Sequence, residues 1–127
     1  MQRLGLNTCW VKLTYSKGKV KIAKEKGEKL ICVISLGYGV TSGFKRPSKK
    51  KEDVLKVSGT PHPNLDLAVE AALEAPTAVN QQKFAILSND GKIALKKAGI
   101  GPCIDIDLGI VAYHIESVLN EKIEVKR

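Results

Sequence analysis

The chain has 127 residues and a formal net charge of +8 at pH 7, with 43% hydrophobic and 27% charged residues. That length suffices for one domain with a real core, and the balance is that of a globular chain, not a disordered one. No stretch reaches the roughly 18 consecutive apolar residues of a membrane span, and Met1-Gln2-Arg3-Leu4-Gly5 carries no apolar signal core, so a single cytoplasmic domain over residues 1–127 is expected.

Cysteine and histidine usage narrows the chemistry further. Cys9, Cys32 and Cys103 are scattered with no C-x-x-C spacing, as a reducing compartment allows. His62 and His114 have no neighbouring cysteine or carboxylate pattern of a ligand set, and no metal site is expected.

At the start of the chain, Leu4-Gly5-Leu6 has the form of a helix end, with Gly5 where a left-handed residue stops one. Too few residues precede it to build that helix, so either another chain supplies it or the sequence starts partway through a domain, and a fragment is expected. Asn7 to Val11 then forms a turn into a strand expected from Trp10 to Tyr15, with Trp10 filling a core or covering an edge. Residues 16–29 are rich in lysine and glycine and read as a loop or short irregular helix between Gly18 and Gly27. Leu30 to Leu36 is a continuous, β-branched apolar run, the pattern of a strand buried on both faces. Gly37-Tyr38-Gly39 closes it where glycine's backbone freedom is useful.

Val40 to Pro63 reads mostly as loop, with one helical turn at Glu52-Asp53-Val54-Leu55 and an extended stretch enforced by Pro61 and Pro63. Lysines gather in Lys17–Lys29 and Lys45–Lys56, mixed with Glu25, Glu28, Glu52 and Asp53. Three readings stay open: a solvated surface, a nucleic-acid contact, or a local site for one phosphorylated ligand at Lys49-Lys50-Lys51. No aromatic residues interleave with the lysines, which weighs against nucleic acid.

Asn64 stands at the N-cap position of a helix whose apolar stripe is Leu65, Val69, Ala72 and Leu73, with Asp66 near its positive end. Pro76 ends that helix, since it has no N–H and its ring clashes with the preceding turn. The turn that follows, Thr77-Ala78-Val79-Asn80-Gln81-Gln82, is dense in short hydrogen-bonding side chains. It either satisfies its own backbone or reads the edge of a polar ring.

Ser88-Asn89-Asp90-Gly91 is a hairpin turn between strands at Phe84–Leu87 and Lys92–Leu95, with a loop from Lys96 to Pro102. The last helix spans Ile104 to Leu119, with Asp105 and Asp107 opposing its dipole. It is apolar nearly all round, as a core or subunit-interface helix is. An exposed face of that kind predicts dimerisation. Gly109 costs about 1 kcal/mol against alanine inside a helix, which suggests a close helix crossing there, and His114 reads as a hydrogen-bonded core histidine.

Four pieces in this order resemble the flavin-dependent nitroreductase family, and its two-repeat branch most: Leu4 to Trp10, Leu36-Gly37-Tyr38-Gly39, Ala75 to Gln82, and Asp107-Leu108-Gly109-Ile110 with Tyr113-His114. The resemblance implies an α+β fold with a mixed or antiparallel sheet flanked by helices and a buried C-terminal helix. It implies FMN held at an interface and NAD(P)H-dependent reduction of nitro, quinone or enone-like acceptors, in a homodimer or with a complementary half-chain. It further implies that Thr8, Cys9 and Trp10 lie along the isoalloxazine ring and that Pro76, Thr77, Ala78 and Asn80 belong to the flavin site. Lys49 and Lys51 would hold the phosphate. The family's basic N-terminal Arg-Ser-x-Arg-type segment has no counterpart, and Gln82-Lys83-Phe84 stands where the first-half copy has Q-P-[WF]. The chain therefore resembles the second half of a two-repeat protein. Against the oxidoreductase reading stand a structural half without catalysis and, behind it, a basic nucleic-acid-binding module.

Overall fold

The computed structural model describes residues 4–12, 14–41 and 43–126, and the chain forms two compact units, Met1–Lys45 and Arg46–Arg127. In the first unit, β1 (Asn7–Val11) pairs antiparallel with β2 (Val33–Gly37), running from Asn7 opposite Gly37 to Val11 opposite Val33. Between them lies a 3₁₀ turn at Lys17–Lys19. Gly5 takes the left-handed conformation expected of it, at φ +70°. The amide of Asn7 donates to the Thr41 carbonyl at 2.7 Å, and a side chain on Gly39 would meet that amide at 2.6 Å.

Two expectations for this unit are corrected. The first strand lies earlier than Trp10 to Tyr15, and Leu13 within that span is outside the described residues. The second begins at Val33 and is not buried on both faces, since Ile34 and Leu36 are 48% and 55% exposed. A two-stranded sheet has no further layer of its own to cover either face. For the same reason Trp10 is exposed instead of filling a core.

The second unit opens with one helical turn, α1 (Lys51–Val54), close to where it was expected. The Asp53 carboxylate accepts the Lys50 N–H at 3.2 Å and starts that turn. It runs directly into β3 (Leu55–Ser58), a strand hidden in what read as loop. Helix α2 spans Leu65–Glu74 and buries Leu65, Ala68, Val69 and Ala72. Asn64 does occupy its N-cap, but the side chain makes no capping bond. Instead the Asn64 N–H donates to Nδ1 of His62 at 3.0 Å, and the turn is closed by the Leu65 N–H on the His62 carbonyl.

β4 (Phe84–Asn89) and β5 (Lys92–Lys97) form the expected hairpin, β4 two residues longer at its turn end and β5 two residues longer at its outer end. Its two turn residues, Asp90 and Gly91, have φ of 45° and 74°, the left-handed pair that matches strand twist in a two-residue turn. After α3 (Ile104–Leu119), the strand β6 (Glu124–Lys126) completes a sheet of order β3-β4-β5-β6. The central pair is antiparallel and both outer pairs are parallel, so the sheet is mixed.

Alternation along the strands decides which face becomes the core. Phe84 and Ile86 of β4 and Ile93 and Leu95 of β5 point to the side where α2 and α3 pack. They meet Val69 and Ala72 of α2 and Leu108, Val111 and Ile115 of α3. Ile86, Leu95, Val111 and Ile115 are fully shielded from water, each burial contributing about 1.5–3 kcal/mol. Among the described residues, no helix is long and apolar enough to cross a membrane.

Helix α3 has the predicted bounds but not a uniformly buried surface. Asp105, Gly109, Tyr113 and Ser117, four residues apart each, form an exposed stripe, with Tyr113 70% exposed. Gly109 therefore marks no helix crossing inside this chain: a Cβ built there would meet nothing within 4 Å.

Candidate functional site

The turn between α2 and β4 is built around positive backbone angles. Ala75 is extended and ends α2, as the following proline requires. Thr77 is buried and extended, and then Ala78–Asn80 makes a single 3₁₀ turn. Val79, Asn80 and Gln82 have φ of 46°, 54° and 44°, so three non-glycine residues in four adopt the left-handed region. Asparagine tolerates this, whereas a β-branched valine pays roughly 1–2 kcal/mol.

Side chains hold the turn in that shape. The Thr77 hydroxyl accepts the Gln82 N–H at 3.0 Å. Asp107, buried on α3, accepts the Ala78 N–H at 2.9 Å through Oδ1 and the Gln81 amide at 2.7 Å through Oδ2. The Gln81 amide also donates to the Pro102 carbonyl at 2.7 Å, and Asn80 donates to the Pro47 carbonyl at 2.6 Å. Oε1 of Gln81 is buried without a partner among the described residues, packed against Gly101.

Gln82 is the hub, at 2% exposure. Its Nε2 donates to the Leu73 carbonyl at 3.0 Å and to the Ser48 hydroxyl at 3.1 Å. Its Oε1 accepts the Lys49 N–H at 2.7 Å, and the Lys49 ammonium donates to the Gln82 carbonyl at 2.8 Å. One buried amide thus ties the end of α2, the turn and the basic segment before α1 together. Close by, Arg46 donates to the Glu74 carbonyl at 2.9 Å, and Lys51 forms an ion pair with Asp66 of α2.

The structure therefore brings Lys49 and Thr77 onto Gln82, while Ala78 and Asn80 of the same turn bond to Asp107 and Pro47, Pro76 begins the turn, and Lys51 lies on α1. Thr8, Cys9 and Trp10 lie on β1 of the first unit, exposed. Cys9 uses its carbonyl to accept the Ser35 hydroxyl at 3.5 Å. Gln82 and Asp107 were named in the sequence but not as site residues. Asp107 read as a dipole carboxylate of the first helical turn, and nothing local showed that its acceptors would reach 29 residues back to Ala78.

His114, expected as a hydrogen-bonded core residue, is half-buried and meets Tyr113 edge-on at 6.4 Å between ring centroids. Burial holds its pKa below the ordinary histidine value, the Arg46 charge lowers it further, and Glu74 opposes both. The charged form is disfavoured, which suits a position on the sheltered side of α3.

A mixed sheet with two helices on one face, joined by a strained polar turn and a basic segment, defines an α+β fold of the nitroreductase type. Residues 1–118 match the model of the family described as "Putative TM nitroreductase", and the chain belongs to that family. It is also similar to a solved structure from Thermotoga maritima titled a "putative nitroreductase", with a TM-score of 0.66 and 21% identity over 98% of this chain. The chain spans about half, 52%, of that protein's length. No curated protein matches the chain.

Proposed function

We propose that this chain is one half of a nitroreductase-type flavoprotein, an oxidoreductase that uses FMN to pass electrons from NAD(P)H to a nitro, quinone or enone-like acceptor. The observation that carries the reading is the family match over residues 1–118, which runs through both compact units. The flavin would sit at an interface completed by a second copy or a complementary half-chain, in the cytoplasm.

Each unit carries groups suited to part of FMN. Lys49 and Lys51 are exposed, and each ammonium retains donors beyond its internal partner, as a phosphate requires. In the first unit, Thr8, Cys9 and Trp10 are exposed on β1, and their backbone and aromatic face are of the kind a planar ring would pack on. Also in the second unit, Thr77 and Asn80 already spend hydrogen bonds on the protein, so with Pro76 and Ala78 their work is to hold the shape of the turn. Bound there, FMN would supply the hydride and electron chemistry. The residues' own work is to bind the phosphate, orient the ring and exclude water.

The same saturation of the turn favours a second reading, a structural half without catalysis. Adding FMN to purified protein separates the two. The first reading expects flavin fluorescence quenching on binding and FMN-dependent oxidation of NAD(P)H. A folded protein that stays colourless and leaves FMN fluorescence unchanged supports the second and overturns the first.

A further inference from the structure

The sheet face turned away from α2 and α3 carries a feature that the flavin reading does not use. By alternation this face presents Lys56 and Ser58 of β3, Leu87 and Asn89 of β4, Lys92 and Ala94 of β5, and Glu124 and Lys126 of β6. These residues, with Glu121 and Lys122, line a groove of about 690 Å³ in the second unit. That volume is in the range of sites for small molecules, roughly 300–1,000 Å³. Leu87 and Ala94, directly paired, form a low apolar floor. Ala94 is buried although it lies outside the core cluster, so its cover comes from the taller side chains around it.

The charge around this floor is unbalanced. Four lysines line the groove against two carboxylates. Glu121 is engaged by His62 at 3.0 Å and Glu124 by Lys126 at 3.5 Å, while Lys122 pairs with Glu116 at 2.6 Å. Lys56 and Lys92 have no ion pair among the described residues. Lys56 is level with Leu87, and Lys92 with Asn89, so the two stand on opposite sides of the floor. Strand spacing and rise put their Cα atoms roughly 12 Å apart. Each ammonium rides a flexible stem that can close on an anion lying between them. The Ser58 hydroxyl and the Asn89 amide, cross-strand neighbours, add neutral hydrogen-bonding groups on the same side as Lys92.

We propose that this groove binds a small molecule with two anionic groups, one held by Lys56 and the other by Lys92, its body resting on Leu87 and Ala94. Phosphate and carboxylate share this chemistry. The site is independent of the flavin reading, since none of the residues assigned to FMN lines it.

Isothermal titration of the full chain with inorganic pyrophosphate and, separately, with succinate tests it. Saturable one-to-one binding of either supports the site and tells which anion it takes. The Lys56→Gln/Lys92→Gln double variant should then bind 10- to 100-fold more weakly, about tenfold per lost charge-assisted contact. A control removes the same charge elsewhere, Lys21→Gln/Lys24→Gln, and should change affinity by about twofold or less, while Lys49→Gln/Lys51→Gln reads out whether the anion is held at the basic segment instead. Far-UV circular dichroism confirms that every variant is folded. Absence of saturable binding, equal loss in all three variants, or loss confined to Lys49→Gln/Lys51→Gln overturns the proposal. So does binding of mixed-sequence DNA with no response to either small anion.

Discussion

Replacing Gln82 with leucine should unfold the second unit far more readily than its surface neighbourhood suggests. The side chain is 2% exposed and makes three close hydrogen bonds, to Leu73, Ser48 and Lys49. Leucine has nearly the same volume, so the packing loss is small and the polar loss dominates. Three neutral hydrogen bonds at about 0.5–1.5 kcal/mol each amount to roughly 3 kcal/mol. The Leu73 carbonyl adds to this where it is left dry, while the bond from the Lys49 N–H is only part-buried, which discounts its share. For a folding unit of this size about 3 kcal/mol lowers Tm by roughly 12–24 °C. Urea denaturation followed by circular dichroism should show a lower midpoint with an unchanged slope. Gln82→Glu keeps the acceptor but turns a carboxylate toward the Leu73 carbonyl, so it should be no milder. A loss below about 0.5 kcal/mol for both variants would show that the hub carries little of the fold, and the account of the turn would fail.

Other outcomes follow from the same turn and from α3. Val79 is 81% exposed with φ 46°, so Val79→Gly sheds left-handed strain and should stabilise by about 0.5–1 kcal/mol after the entropy of the unfolded glycine is subtracted; a destabilised variant in thermal melts would contradict this. Asp107→Ala strands the Ala78 N–H and the Gln81 amide and should cost about 2–4 kcal/mol by urea denaturation, whereas Asp107→Asn, which keeps one acceptor, should cost less. His114 has its pKa lowered on folding, so the unfolded chain binds more protons around the ordinary histidine value and stability rises with pH there. That contribution is fully present above the unfolded pKa and is lost as pH falls through the folded one. His114→Gln should flatten the slope between about pH 5 and 7, and an unchanged slope would show that His114 is not its source.

The elements whose signals are local were legible in the sequence. Helix α3 has the expected bounds because apolar side chains recur through sixteen residues and αL residues stop it at both ends, Cys103 and Asn120. The β4–β5 hairpin followed from Asn-Asp-Gly, whose angles the structure reproduces. Short strands with distant partners were not legible. β3 carries two exposed alternate residues, Lys56 and Ser58, and is a strand only because Leu55 meets Ile86. β6 is three exposed residues beside β5. The candidate site was half legible. The density of polar side chains after Pro76 marked the turn, but the partners that decide its chemistry lie 26–34 residues away, on α3 and before α1. An apolar run, Leu30 to Leu36, misled in the other direction, because hydrophobicity alone does not say what layer will cover it.

The mixed sheet also sets an order of assembly. β4 and β5 meet across two turn residues, whereas β3 reaches β4 over 31 positions, Leu55 to Ile86, and β6 reaches β5 across the whole of α3. Loop closure costs more for each longer span, so the hairpin is the natural seed and the two parallel edges are late additions. What joins last is generally the first to open. Amide hydrogens of Ile86 and Leu95, both at 0% exposure, should exchange on the slowest timescale of the second unit, and those of β3 and β6 should exchange by local fraying without waiting for global unfolding.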